Sequence, residues 1–154
     1  MIKTRIFARH YQLFQFLQLG LAFFLLTIFA AAQAQDRLSV AEVKPGLHVI
    51  TGPGGNIGVR VTSEGVILID NKFPQDFEEI QSLVATISDQ AIRYIINTHH
   101  HGDHSGSNAA FLEVAEIIAH KNARANMVRV DQPGQPPIVY SQETSVFLGG
   151  AEVR

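Results

Sequence analysis

The sequence predicts a mixed α+β fold with a polar cluster placed where a strand ends. Short runs rich in Ile, Val and Leu alternate with glycine-containing turns, which indicates β-strands. Residues 77–87 instead repeat apolar side chains at helical spacing. Directly after one predicted strand, residues 99–104 hold four of the seven histidines and one aspartate. Binding and catalytic groups are often carried on such loops, which rigid elements hold in place.

The N-terminal 34 residues have the pattern of a secretory signal peptide. Lys3, Arg5 and Arg9 form a positive region, an uncharged apolar region follows over residues 19–32, and Ala32-Gln33-Ala34 matches a small-residue cleavage site. We therefore expect cleavage between Ala34 and Gln35 and a periplasmic or secreted protein.

A retained membrane anchor is the alternative interpretation of this segment. The weakly polar run over residues 13–32 reaches 20 residues, enough to span a bilayer as a helix. Gln15 and Gln18 interrupt it, and the cleavage pattern follows directly, so the signal peptide is favoured. Membrane contact is then expected only through this segment.

The charge of the remaining chain argues against a nucleic-acid-binding protein. Loss of three basic residues with the signal peptide leaves 9 Lys and Arg against 14 Asp and Glu, a formal charge of −5. A nucleic-acid surface would need a basic face instead. The chain has no cysteine, so a thiolate metal ligand within it is excluded.

Three short strands and a turn are predicted before the helix. Residues 47–50 and 66–69 are apolar runs, and residues 57–61 alternate as a half-buried strand does. The glycine-rich turn over residues 51–55 is not a phosphate-binding loop, because it lacks a Gly-Lys-Ser/Thr ending and leads into a strand.

A strand-helix-strand unit precedes the polar cluster. Pro74 begins a helix in which Phe77, Ile80, Val84 and Ile87 form one apolar face. The helix leads to a buried strand over residues 92–96, and the polar cluster follows that strand.

The chain after the cluster predicts further short elements. These are a helix over residues 108–114 with Phe111 and Leu112 buried, a strand over 116–119, a helix capped by Asn122 with Ala123, Met127 and Val130 on one face, and extended segments at 139–140, 144–148 and from 151. We interpret His48 as structural. For His120 at a strand end, packing is favoured over a ligand role.

The spacing of the polar cluster indicates a metal site. In an extended segment, side chains two positions apart point the same way, so His99 and His101 face one metal while His100 points elsewhere. Gly102 permits unusual backbone angles, and a turn there would bring Asp103 and His104 to a neighbouring point. Imidazole and carboxylate ligands suit zinc, and also iron or manganese. A tag remnant or a surface loop that binds metal adventitiously is the competing hypothesis, which the internal position and the following Gly-Asp-His disfavour.

The motif His99-x-His101-x-Asp103-His104 resembles the HxHxDH signature of the metallo-β-lactamase superfamily. The resemblance extends through residues 52–59, 66–70 and 117–122 and covers most of the chain after about residue 40. It implies an αββα sandwich built from two similar halves, of which residues 35–154 would be the N-terminal portion, truncated at the C-terminus. The remaining ligands, including further histidines, would then lie downstream.

The resemblance also implies roles for individual residues. His99 and His101 would ligate one metal, while Asp103 and His104 would ligate the second, and Asp103 is the expected catalytic residue. One or two zinc ions are expected. Asp70, which closes the strand over residues 66–69, would support the metal loop from beneath and orient a ligand imidazole. A simple capping role for Asp70 remains equally open.

Two hypotheses about function follow. The first is an exported zinc-dependent hydrolase that uses a metal-activated hydroxide on a small ester, thioester, amide or lactam-type substrate. This chain alone is then expected to be inactive, because its ligand sets are incomplete. The alternative is a non-catalytic metal-binding half-domain or an assembly partner that completes its site with another chain. The sequence does not indicate the oligomeric state.

Overall fold

The computed structural model describes residues 37–154, so the predicted signal peptide lies outside the described part of the chain. One seven-stranded sheet runs in the order β1 to β7, and a separate two-stranded hairpin follows it. The strands are β1 (Ser39–Lys44), β2 (Leu47–Thr51), β3 (Ile57–Thr62), β4 (Gly65–Ile69), β5 (Ile92–Asn97), β6 (Glu116–His120), β7 (Ile138–Tyr140), β8 (Val146–Leu148) and β9 (Ala151–Val153). The helices are α1 (Phe77–Ile87), preceded by a 3-10 turn at Pro74–Asp76, α2 (Gly102–Ser105), α3 (Asn108–Phe111) and α4 (Lys121–Arg129).

The sheet changes character at β4. Strands β1 to β4 pair antiparallel through short turns. Strands β4, β5, β6 and β7 pair parallel. A parallel pair needs a crossover connection, and α1 supplies it between β4 and β5 as predicted. The α+β class is therefore confirmed.

Both faces of the sheet bury apolar side chains. On one face α1 and α3 contribute Ile80, Val84 and Phe111 to a core built on the buried strand residues of β2 to β6. On the other face the hairpin β8–β9 contributes Val146, with Leu148 packed beside it, to a smaller core around Ile67 of β4. Because β4 is buried on both faces, its sequence is continuously apolar rather than alternating. No helix of residues 37–154 has both the length and the hydrophobicity to cross a bilayer.

Three details differ from the sequence-based predictions. Strand β1 was not predicted, because five of its six residues are exposed and it shows no buried alternation. Helix α3 ends at Phe111, which leaves Leu112 exposed at the surface. Helix α4 is capped by His120, whose Nδ1 accepts the Asn122 N–H at 3.2 Å, and Val130 beyond its end is exposed.

The polar cluster lies at the carboxyl ends of β4 and β5. The chain leaving β4 passes through Asp70 and Lys72, both with positive φ (68° and 56°), which is uncommon for residues other than glycine. These turns fold residues 70–73 against the segment that follows β5. Both are buried, so the backbone strain is held in place by the surrounding structure.

Candidate metal centre

The motif spans the end of an extended segment and the first turn of a short helix. His101 is the residue before α2, and its carbonyl oxygen accepts the backbone N–H groups of His104 and Ser105, each at 3.0 Å. Asp103 and His104 therefore project from a helical turn. The sequence-based explanation, an unusual backbone angle at Gly102, is wrong: the turn is made by helical hydrogen bonding, and Gly102 is not among the positive-φ glycines of the described chain.

The structure brings the histidine rings of the motif together. The ring centroid of His99 lies 4.1 Å from that of His104 and 4.8 Å from that of His101. His100 lies further from His99, at 6.4 Å, but its ring is 4.6 Å from that of His101. His100 is thus displaced from His99 without being remote from the cluster.

Asp70 anchors this cluster from the end of β4. One of its carboxylate oxygens, Oδ1, accepts the backbone N–H of Thr98 at 2.7 Å. The other, Oδ2, accepts the Thr98 hydroxyl at 2.7 Å and lies 2.8 Å from Nδ1 of His104. Asp70 is 3% exposed, so these bonds satisfy a buried carboxylate. The geometry favours the supporting role for Asp70 over a simple capping role.

These bonds also determine which nitrogens of the imidazoles carry protons. A carboxylate only accepts, so Nδ1 of His104 is the donor to Asp70 and the lone pair of a neutral ring lies on Nε2. The hydroxyl hydrogen of Thr98 is used on Asp70, so the 3.0 Å contact between Thr98 Oγ1 and Nδ1 of His99 requires His99 to donate. Nε2 of His99 then carries its lone pair as well. Asp70 thus orients two imidazoles, one directly and one through Thr98, and leaves Nε2 of each ring free of a proton.

Asp103 is held by the glycine-rich turn, which lies over the motif. Its Oδ2 accepts the Gly55 N–H at 3.0 Å. A Cβ built on Gly55 would lie 2.5 Å from Nε2 of His104, and one built on Gly54 would lie 2.8 Å from Cβ of Asp103. Only glycine permits this close approach of the backbone, which is a role that the sequence analysis did not assign to the turn.

Buried polar side chains hold the two loops of the site together. Nδ2 of Asn71 donates to Oδ1 of Asn108 at 2.7 Å, and Nδ2 of Asn108 donates to Oδ1 of Asn97 at 2.8 Å and to the Gly134 carbonyl at 3.0 Å. The Asn71 N–H also donates to the His104 carbonyl at 2.8 Å. The sequence carried no signal for this network beyond the predicted start of a helix at Asn108.

The lowered pKa of His99 favours the neutral ring, which is the form that can bind a metal ion. Burial lowers the pKa of His99, and the neighbouring imidazoles of His104 and His101 lower it further against the opposing effect of Asp70 and Asp103. A metal ligand must be the neutral ring, so a lowered pKa for His99 increases the fraction that is competent to bind.

The side-chain atoms of His104 and Asp103 fit a metal ion in type and in spacing. Nε2 of His104 and Oδ2 of Asp103 are 3.5 Å apart, and both are acceptors when His104 is neutral. Two ligands of one tetrahedral zinc lie about 3.4 Å apart, given zinc–ligand distances of about 2.0–2.1 Å. Within residues 37–154, however, no three His, Asp or Glu side chains are arranged to enclose one ion. The residues therefore fit as part of a ligand set.

Comparison with known proteins places this geometry in a family. A family model described as the metallo-beta-lactamase superfamily matches residues 50–150. The lactamase-like protein nscB of Trichophyton rubrum is 35% identical over 105 residues, which cover 66% of this chain and 30% of that protein.

Solved metallo-beta-lactamase structures share the fold at low sequence identity. The Cronobacter sakazakii protein with a HARLDQ motif matches with a TM-score of 0.62 and 24% identity, covering 73% of this chain and 50% of its own. The Pontibacter korlensis protein gives 0.65 and 20%, covering 75% and 58%. BJP-1, a subclass B3 enzyme of Bradyrhizobium japonicum, gives 0.63 and 22%, covering 73% and 49%. The chain thus spans about half the length of these structures. It belongs to the metallo-beta-lactamase superfamily.

Proposed function

We propose that the protein is an exported, zinc-dependent hydrolase that acts on small ester, thioester, amide or lactam-type substrates. The observation that carries the proposal is the arrangement of His99, His104 and Asp103. Asp70 holds the ring of His104, and the Gly55 N–H holds the carboxylate of Asp103. Membership of a superfamily that includes metallo-beta-lactamases supports hydrolysis as the reaction class. The acidic character of the chain beyond the predicted signal peptide disfavours nucleic acid as a substrate.

Each residue of the motif has a distinct task in this proposal. His99 and His101 would hold one zinc ion, and Asp103 and His104 would hold a second or complete the surroundings of the first. When bound, zinc supplies a Lewis acid that polarises a carbonyl oxygen and lowers the pKa of water toward neutrality. Asp70 keeps the two rings oriented, and the Gly55 N–H holds one oxygen of Asp103 so that the carboxylate has a fixed direction.

Zinc affinity tests the metal part of the proposal. We expect the double variant His99→Ala/His101→Ala to lose zinc binding, because both proposed ligands of one ion are removed. His100→Ala should keep most of the affinity, since its ring lies 6.4 Å from that of His99. Competition with a chromophoric zinc chelator measures all three proteins. Equal losses from each single alanine variant at His99, His100 and His101 would identify a nonspecific histidine cluster instead.

The reaction class is tested on a longer protein, in which this chain is extended to the length of the solved relatives. Zinc-dependent hydrolysis of ester, thioester, lactone or β-lactam substrates is expected, and Asp103→Ala should abolish it while the protein remains folded. Zinc binding without turnover on any of these substrates would favour the alternative, a metal-binding half-domain or assembly partner.

Export is a separate prediction from residues 1–34. Expressed in a bacterium with its complete N-terminus, the protein should accumulate in the periplasm with Gln35 as its first residue, because a positive region, an apolar region and Ala32-Gln33-Ala34 occur in order. Mass spectrometry of the periplasmic and membrane fractions makes the measurement. An intact N-terminus in the membrane fraction would instead identify a retained anchor.

A further inference from the structure

Lys72 is among the largest fully buried side chains of the described residues, and the proposed chemistry gives it no role. Its exposed fraction is 0%, although lysine is almost never fully buried unless its amino group is paired. Nζ donates to the Pro53 carbonyl at 3.0 Å and to the Gly55 carbonyl. The side chain thus reaches from the β4–α1 loop into the glycine-rich turn.

The two carbonyls that Lys72 holds flank the part of the turn that contacts the motif. Gly54 lies between them and packs against Asp103, and the N–H of Gly55 donates to Asp103. Gly55 also lies against the ring of His104. Since the turn consists of glycine and proline between Gly52 and Gly55, it has no polar side chain of its own to fix its position. Its position depends on partners outside it.

Further interactions of Lys72 also involve the motif and its surroundings. The carbonyl of Lys72 accepts the Ser107 N–H at 3.2 Å, just beyond the motif. Burial lowers the pKa of Lys72, while the carboxylates of Asp76 and Asp103 act in the opposite direction. Two carbonyl acceptors and two carboxylates thus compensate the buried amino group of Lys72 for its loss of hydration.

We propose that Lys72 is a positioning residue for the metal centre. Its amino group fixes the glycine-rich turn at Pro53 and Gly55, and that turn then fixes Asp103 and His104. This inference rests on the proposed function only for the metal, since the link from Lys72 to Asp103 is a property of the folded chain. Lys72 touches neither metal nor substrate and acts through the backbone of Gly55.

The absence of cysteine from the chain allows a test that changes only the amino group. Lys72→Cys is alkylated while unfolded and then refolded, either with bromoethylamine, which rebuilds a lysine-like amine, or with propyl iodide, which gives a neutral side chain of similar length. We expect the amine form to match the unmodified protein. The propyl form should exchange the Gly55 amide proton at least about 10-fold faster and bind zinc about 10- to 100-fold more weakly, the range typical of residues that support metal ligands.

A control for stability separates positioning from general loosening. Val84→Ala removes core contacts in α1 without touching the turn, so it should lower the unfolding temperature while leaving exchange at Gly55 close to that of the unmodified chain under native conditions. Equal exchange and equal zinc affinity in the amine and propyl forms would overturn the proposal. So would a Gly55 exchange rate in Val84→Ala that rises as much as in the propyl form.

A measurement on the unmodified chain covers the case in which the propyl form does not refold. Nitrogen-15 spectra at neutral pH should show slowly exchanging Nζ protons on Lys72, with couplings to the carbonyl carbons of Pro53 and Gly55. Exposed Lys44 and Lys121 serve as controls in the same spectrum. Nζ protons on Lys72 that exchange as fast as those of Lys44 would overturn the proposal. If no form binds zinc, the proposed function fails, and the Gly55 exchange still decides the role of Lys72.

Discussion

Replacing Asp70 should disable the metal centre more completely than any other single change outside the ligands themselves. In Asp70→Ala, the N–H and hydroxyl of Thr98 and Nδ1 of His104 all lose their acceptor. Thr98 is exposed and the His104 ring is partly exposed, so water replaces part of what is lost, and we expect the free energy of unfolding to fall by about 1–3 kcal/mol. Zinc affinity should fall by about 10- to 100-fold or more, because both His99 and His104 lose their orientation.

Asp70→Asn separates the hydrogen bonds from the backbone. Asn tolerates the left-handed conformation that Asp70 adopts at φ 68°, so the substitution adds little strain. The asparagine amide can accept hydrogen bonds only at its oxygen, so at least one of the three donors around Asp70 loses its acceptor. Asp131 has a similar φ of 52° and is exposed, so Asp131→Ala measures the backbone penalty alone. Chemical denaturation and chelator competition give both quantities, and wild-type zinc affinity in Asp70→Asn would show that Asp70 does not orient the ligands.

The second large effect is expected from a single methyl group on the glycine-rich turn. In Gly55→Ala the new Cβ would lie 2.5 Å from Nε2 of His104, and the ring cannot retreat freely because Asp70 holds its other nitrogen. Either the ring or the turn must move, and moving the turn breaks the Gly55 bond to Asp103. We expect zinc affinity to fall at least about 10-fold, and stability by about 1–3 kcal/mol as in other overpacked sites.

Gly102→Ala is the matched control for this substitution. Gly102 lies inside the motif, but a Cβ there meets no atom within 4 Å, and the residue is helical. Alanine is favoured over glycine in a helix by about 0.5–1 kcal/mol, so stability should be unchanged or slightly increased. Calorimetry and zinc titration compare the two variants. Equal zinc affinities in both would show that the turn does not constrain His104.

The sequence predicted the histidine cluster of the candidate site and most strands because both are local patterns. Apolar runs predicted β4 and β5 within one residue of their observed ends, and helical spacing predicted α1, although its predicted start at Pro74 belongs to the 3-10 turn before Phe77. The failures lie where local pattern carries no information. Strand β1 is exposed and has no periodicity, and Leu112 is apolar but follows the last residue of α3. Neither position could be assigned without knowing what packs against it.

The residues that hold the motif in place could mostly not be predicted from the sequence, for a different reason. Lysine is ordinarily exposed, so nothing at Lys72 predicts complete burial. Gly55 appeared only as part of a turn, because its contact with His104 depends on how two distant segments fold together. Asp70 was proposed as a support through the family resemblance, and the residues alone left it equally open as a cap.

The anchors of the motif are far from it along the chain, which bears on how the site forms during folding. Asp70 and His104 are separated by 34 residues, Asn71 and Asn108 by 37, and Gly55 and Asp103 by 48. Each contact closes a long loop and carries an entropic cost that is met only once strands β3, β4 and β5 have aligned. The histidine-rich segment is therefore expected to reach the observed arrangement only late, when the sheet has assembled. If the segment binds a metal ion as proposed, an ion that arrives before the sheet is complete meets a flexible chain without the ligand geometry.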